Sequence, residues 1–158
     1  MATNVWDHFG NNISRDLLDF TIGPRLGGGI SREVFVCATN TDFVLKFETA
    51  ENSWQNIMEW EVFHEAEGTP AAKWLAPCER ISANGKVLMQ RRTQPLGWAE
   101  RPKMMPRFFT DLKLTNFGTI DGHVVAHDYG VNMILRKGLS CQMCKAQWWQ
   151  VNGGESDR

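Results

Sequence analysis

The 158-residue chain is about the length of one domain, and a hydrophobic fraction of 42% suffices for a buried core. With 17 basic against 18 acidic residues the formal net charge is −1, which argues against nucleic acid or anionic lipid as a partner and leaves small ligands or proteins. No apolar run approaches the ~20 residues of a membrane span, and the opening "MATNVWDHFG" has neither the basic start nor the apolar stretch of a signal peptide. A cytoplasmic protein is expected.

In chain order, "NNISRDLLDF" offers Asn12 as an N-cap ahead of Ile13, Leu17, Leu18 and Phe20, a short amphipathic helix expected to cover one edge of the domain. "GPRLGGG" breaks any helix, "EVFVCA" and "FVLKFE" are rich in β-branched and aromatic residues, and "TNTD" between them is turn chemistry. Three antiparallel strands follow from Thr21 to Glu48. "SWQNIMEWEVFHEAEG" predicts a helix from near Ser53 to Gly68, with Met58, Val62, Phe63 and Ala66 on one arc. Glu59 falls inside that arc and Glu61 outside it, so Glu59 needs a cationic partner.

"CERISANGKVLMQ" predicts a hairpin around Asn84-Gly85 that extends the sheet to about five strands. Prolines break up "RRTQPLGWAERPKMMPRFF" at Pro95, Pro102 and Pro106, leaving a connector and a short helical piece around Arg101 to Phe109. "HVVAHDYG" predicts one more strand ending at Asp128, and the polar, glycine-rich "VNGGESDR" is expected to fray. Four cysteines are too few and too unevenly spaced for a secreted disulfide framework. "CQMC", Cys141 to Cys144, has metal-ligand spacing, but no second close pair completes a zinc set.

The residues that carry chemistry lie apart in sequence. The turn "LGGGISREV" lets backbone N–H groups approach phosphate oxygens, yet it is no Walker loop, because no Gly-Lys-Ser/Thr follows and it leads into a strand. Lys46 sits among apolar neighbours in "FVLKFE"; it is either a surface lysine lying on its stem or the buried partner of Glu59. Asp111, Lys113 and Asn116 form Asp-x-Lys-x-x-Asn, and after a turn and a strand comes Asp128-Tyr129-Gly130.

With these elements in this order, the sequence resembles the eukaryotic-type protein kinase superfamily over roughly Leu26 to Gly130. "LGGGISREV" resembles the glycine-rich loop, with Gly27 and Gly29 in the first two glycine positions and Arg32 in the third. "FVLKFE" resembles Val-Ala-Ile-Lys, "NIMEWEVF" the helix bearing the partner glutamate, and "DYG" the Asp-Phe-Gly motif. The resemblance implies an α+β fold: a kinase-like N-lobe, with a roughly five-stranded antiparallel sheet and one helix, over residues 1–96, a much reduced C-lobe over 97–150, and a tail at 151–158. It further implies ATP and Mg²⁺. The amides of Gly27, Gly28, Gly29, Ile30, Ser31 and Arg32 would cover the phosphates; Lys46, held by Glu59, would grip the α and β oxygens. Asn116 and Asp128 would supply hard oxygen ligands to Mg²⁺. Asp111 would orient the acceptor hydroxyl and take its proton, and Lys113 would sit near the γ-phosphate. Met89 would back the adenine pocket, with Gln90, Arg91 and Arg92 as the hinge.

Three departures shape the functional expectation. Phe109-Thr110 replaces His-Arg before Asp111, so activation-loop phosphorylation has no arginine to read it. Arg32 replaces the third glycine, either as a phosphate contact or as an exposed strand residue. The sequence ends at Arg158, where the family continues through an activation segment and substrate-docking helices, so the chain looks like a minimal bacterial or phage-type member. "MILRKGLSCQMCKAQWW" is then the candidate replacement surface, in which Trp148-Trp149 either anchors a partner or packs back on the domain. The expected function is a protein serine/threonine kinase acting on a partner protein. The alternative is a kinase-like nucleotide-binding module that blocks or scaffolds a partner without catalysis.

Overall fold

β-Branched and aromatic residues dominate "REVFVC" and "FVLKFE", and these two segments form the middle of a five-stranded antiparallel sheet. The structure is a computed structural model that describes residues 11–130 and 138–150. The expected fraying of 151–158, and the part of the candidate replacement surface at 131–137, lie outside the described residues.

The sheet contains β1 (Ile22–Gly28), β2 (Arg32–Cys37), β3 (Phe43–Glu48), β4 (Cys78–Ile81) and β5 (Val87–Arg91), in the order β1-β2-β3-β5-β4. Register sets which side chains share a face: Val34 pairs with Lys46 and Lys46 with Leu88, while Phe35 pairs with Leu45 and Leu45 with Met89. Directly opposed residues point the same way. Arg32, Val34, Lys46, Glu48, Leu88 and Gln90 therefore occupy one face, and Phe35, Phe47 and Met89 the other, where the Phe35 and Phe47 rings meet edge to face at 5.8 Å.

Two helices accompany the sheet. Helix α2 (Gln55–Ala66) buries Asn56, Glu59, Val62, Phe63 and Ala66. Its N-terminus has no side-chain cap of its own; instead Glu48, from β3, accepts from the Gln55 amide at 2.5 Å, the Asn56 amide at 3.3 Å and the Ser53 hydroxyl at 2.8 Å. A carboxylate at that end satisfies orphan N–H groups and complements the helix dipole. Because the cap comes from the sheet, it also fixes the helix against the strand that carries Lys46. Helix α1 (Asn11–Thr21) includes Asn12 rather than following it, and every residue from Ser14 to Phe20 is exposed. The expected burial of its apolar stripe against a domain edge is thus not what the structure has.

After β5 the chain leaves the first sheet and builds two smaller ones. Strands β6 (Gln94–Pro95), β8 (Phe117–Ile120) and β9 (His123–Ala126) form one antiparallel sheet. Strand β7 (Met104–Pro106) pairs with β10 (Met143–Lys145) in the other. The short helix expected around Arg101 to Phe109 is replaced by a 3-10 turn at Trp98–Glu100 followed by β7. Pro102 and Pro106 bracket the segment, and extended backbone accommodates them where a helix interior does not. The hydrophobic core joins α2 to this lower half through Leu75, Leu88, Phe108, Phe117 and Tyr129. The fold is α+β, with a mainly antiparallel sheet and two helices among the described residues. None of those helices is long and apolar enough to cross a membrane.

Candidate functional site

A cavity of about 730 Å³ lies where the chain crosses from β5 to β6, between the two sheets. Leu26, Val34 and Val44 supply apolar wall from the first sheet, and Leu96, Leu114 and Phe117 supply it from the second half. Apolar walls with a few convergent polar groups are the usual make-up of a small-molecule site.

The polar groups converge on Glu59. Lys46 and Glu59 are both buried, and Lys46 Nζ lies 2.7 Å from Glu59 Oε2. Arg32 donates to the other oxygen, Oε1, at 2.9 Å, and the Tyr129 amide donates to the same atom at 3.2 Å. Lys46 also donates to the His127 carbonyl, and Arg32 reaches Asp128 Oδ1 at 2.5 Å. Two cations and two carboxylates thus form one neutral cluster, buried at Arg32, Lys46 and Glu59 and 38% exposed at the Asp128 side chain. Such burial is tolerated only because each charge has a counter-charge and hydrogen bonds. Burial alone would push the Asp128 carboxyl up, but Arg32 and then Lys46 outweigh it and hold the group below the ordinary carboxylate range. Glu61, two residues along α2, is exposed.

The backbone around Asp128 is tightly specified. The His127 and Asp128 amides both donate to the Asn116 carbonyl, at 2.9 and 3.2 Å, which brings the two candidate metal-binding residues together. A Cβ at Gly130 would stand 2.6 Å from the Gln55 carbonyl oxygen and 3.1 Å from Glu59 Cγ. The chain leaving Asp128 therefore packs against α2 at a distance that only glycine permits. The His127 ring bridges the halves: Nε2 meets the Thr115 carbonyl at 2.9 Å, so it carries the proton, and Nδ1 accepts from the Thr93 hydroxyl at 2.8 Å. Burial, and then the Lys46 charge, lower this imidazole to about 4.

At the turn after β1, a Cβ on Gly27 or Gly29 would meet nothing within 4 Å, and neither glycine has a positive φ. Neither packing nor backbone conformation demands glycine there, which leaves an open approach to the backbone as the physical use of both. Gly27, Gly28, Gly29, Ser31 and Arg32 line the cavity, whereas the Ile30 side chain is fully exposed.

Opposite that turn, Lys113, Asn116 and Asp128 line the cavity. Asp111 lies beside this wall. Its Oδ2 accepts from Asn116 Nδ2 at 3.3 Å, and its Oδ1 accepts from the Lys113 amide at 3.2 Å and the Trp149 indole N–H at 2.8 Å. Trp149 is anchored by backbone pairing, its amide donating to the Leu112 carbonyl and its carbonyl accepting from the Leu114 amide. Its ring lies 5.6 Å from Lys113 Nζ. Trp148 packs back on the domain, edge to face with Phe117 at 4.9 Å, and donates to the Pro102 carbonyl at 2.7 Å. Cys141 and Cys144 are free thiols near this strap.

Along β5 the cavity residues are Gln90, Arg91 and Arg92; Met89 faces the other side of the sheet and does not line it. Met89, expected at the back of an adenine pocket, is thus not a lining residue, whereas its neighbour Gln90 is. Gln90 is fully buried, with Nε2 3.4 Å from the Ala76 carbonyl and Oε1 without a hydrogen-bond partner. An orphaned buried acceptor costs about 1–3 kcal/mol, which a donor on a ligand would offset. Sequence reasoning also missed Glu48 and Asn56, and it singled out Trp149 without its contact to Asp111. Asn56 alone had a local signal, lying on the apolar arc of α2, where its side chain donates to the Lys46 and Gly85 carbonyls at 3.0 and 3.1 Å.

For a divalent metal, Asn116 and Asp128 form a fitting donor pair. The Asn116 NH₂ is committed to Asp111, which leaves the amide oxygen, and Asp128 already holds a cation in the form of Arg32. Hard oxygen donors of this kind are the ligand type Mg²⁺ takes. No protein-family model matches the chain, and no curated protein matches it either.

Proposed function

We propose that the chain is an ATP- and Mg²⁺-dependent phosphotransferase with a kinase-like core, acting on a serine or threonine hydroxyl of a partner protein. The observation that carries this reading is the buried Lys46–Glu59 pair at the wall of the interlobe cavity, with Asn116 and Asp128 on the facing wall and Asp111 beside it. Phosphoryl transfer asks little covalent chemistry of a protein; it asks for positioning and for neutralisation of phosphate charge. Lys46 is fixed by Glu59 and the His127 carbonyl, so that its one remaining N–H is available to a phosphate oxygen. The turn from Gly27 to Ser31 would approach from the opposite side, its Gly29 amide already donating to the Arg32 carbonyl at 2.8 Å. The base fits between Val34 and Val44 on one side and Leu114 and Phe117 on the other, along the hinge from Gln90 to Arg92. Mg²⁺, where bound, offsets charge on the triphosphate and would be held by Asn116 and Asp128. Asp111 acts on the acceptor hydroxyl, taking its proton as the oxygen attacks.

Trp149 favours a second reading. Its indole N–H occupies Asp111 Oδ1, the atom an acceptor hydroxyl would use. A nucleotide-binding module that inhibits or scaffolds a partner tolerates that occupancy, whereas a kinase must open it or use the other oxygen.

Titration calorimetry with Mg-ATP tests the first requirement of the proposal. Saturable binding is expected, together with its loss in Lys46→Ala. A wild-type protein that shows neither binding heat nor a rise in melting temperature at saturating Mg-ATP refutes the nucleotide reading, because a ligand specific to the native state must stabilise it.

A further inference from the structure

We propose that Arg32 is a resident cation of the phosphate site, supplying part of the charge neutralisation otherwise left to a divalent metal, so that polyphosphate binding in this cavity outlives removal of the metal. The inference rests on the nucleotide reading above and names how that site holds its ligand.

Arg32 opens β2 directly after the glycine turn, on the sheet face that carries Lys46. It is buried rather than a solvated strand residue, and it is held from three directions. NH1 meets Glu59 at 2.9 Å and Asn56 Oδ1 at 3.5 Å, and NH2 meets Asp128 Oδ1 at 2.5 Å. Those contacts use three of the five N–H donors of a guanidinium, and the residue still lines the cavity.

Withdrawing Arg32 to make room for a metal would leave the fully buried Glu59 with one cation instead of two and would give up the Asn56 contact, and stripping a counter-charge from a buried carboxylate is unfavourable. The guanidinium is therefore expected to stay when ligand enters. The cavity's charge agrees. Arg32, Lys46, Arg91, Arg92 and Lys113 line it as cations, and Asp128 is the one acid among the described lining residues. A polyanion meets a positive wall without any metal, and a planar guanidinium is well suited to phosphate oxygens.

The test compares ATP with adenosine by calorimetry, first with excess Mg²⁺ and then with EDTA. In wild type, removing the metal is expected to weaken ATP binding by about tenfold or less. In Arg32→Gln, ATP binding in EDTA should fall by a further ~10–100-fold, the worth of a charge-assisted contact, with a smaller loss in Mg²⁺. Arg32→Lys should fall between the two. Adenosine carries no phosphate, so it should bind wild type and Arg32→Gln equally, which also shows that the variant cavity is intact. The proposal is overturned if wild-type ATP binding in EDTA drops to the level of adenosine. It is equally overturned if Arg32→Gln binds ATP in EDTA as wild type does. Absence of binding by both ATP and adenosine under every condition overturns the nucleotide reading itself, and this proposal with it; that result is distinct from adenosine binding with metal-dependent ATP.

Discussion

Glu59 shows how far one side chain can be read from sequence. Its position on the helical wheel separates it from Glu61, and the structure buries it against Lys46 and Arg32 while Glu61 is exposed. Glu59→Ala should cost on the order of 3–5 kcal/mol in urea unfolding, because two buried cations lose their shared counter-charge. Glu61→Ala should be nearly silent, and the reverse ranking would contradict the cluster. Strand parity was harder to read. Both Met89 and Gln90 suit a strand, and the choice between them depends on pairing with a β3 residue more than 40 positions away, Lys46 with Leu88. Periodicity within one strand cannot supply that register. Arg32 was equally ambiguous, since its two carboxylates come from α2 and from the end of the β9 segment. His127 makes a pH prediction. Its imidazole is held near 4, against about 6.5 when unfolded. Between those values the unfolded chain binds more protons, so stability is present above about 6.5 and lost as pH falls toward 4. In nucleotide- and metal-free protein, the loss should be about 3 kcal/mol and should be flattened in His127→Gln, measured by unfolding across that range.

Among elements, those with a strong local signature were legible: β1 to β3, the β4–β5 hairpin with its turn at Gly85 (φ 73°), and α2. Strands β6, β7 and β10 are two or three residues long, contain proline or methionine, and exist through partners distant in sequence. No alternation can be counted over so short a run. The strap ending in Trp148 and Trp149 is such a case, since its ordering comes from Leu112, Leu114, Pro102 and Phe117. Gly130→Ala tests the packing of the segment after Asp128 on α2. The added Cβ meets a backbone oxygen that has little room to move. A destabilisation of about 1–3 kcal/mol is expected, with a loss of Mg-ATP affinity as Asp128 is pushed out of line. Unchanged melting temperature and affinity would show that this approach is not needed.

For the molecule as a whole, the α+β architecture places one apolar-walled, positively charged cavity between two sheets, with a candidate acceptor base beside it. The resemblance carried by the motifs implies nucleotide chemistry; it could not say that Arg32 shares the Lys46 pair or that Trp149 meets Asp111, because both contacts are made by tertiary packing. The claim that the molecule is a phosphotransferase is tested most directly by γ-labelled ATP. Wild type and Asp111→Asn are incubated with Mg²⁺, labelled ATP and cell lysate, and label is scored on every protein, including the chain itself. Asn retains an oxygen acceptor for the Trp149 indole and Lys113 amide and gives up only the long 3.3 Å contact from the Asn116 NH₂, so nucleotide affinity and fold should largely survive while the proton acceptor is lost. The account expects label transfer by wild type that falls by roughly 10²-fold or more in Asp111→Asn at unchanged Mg-ATP affinity. Tight Mg-ATP binding by wild type with no transfer to any protein, or transfer that is the same in Asp111→Asn, would contradict it.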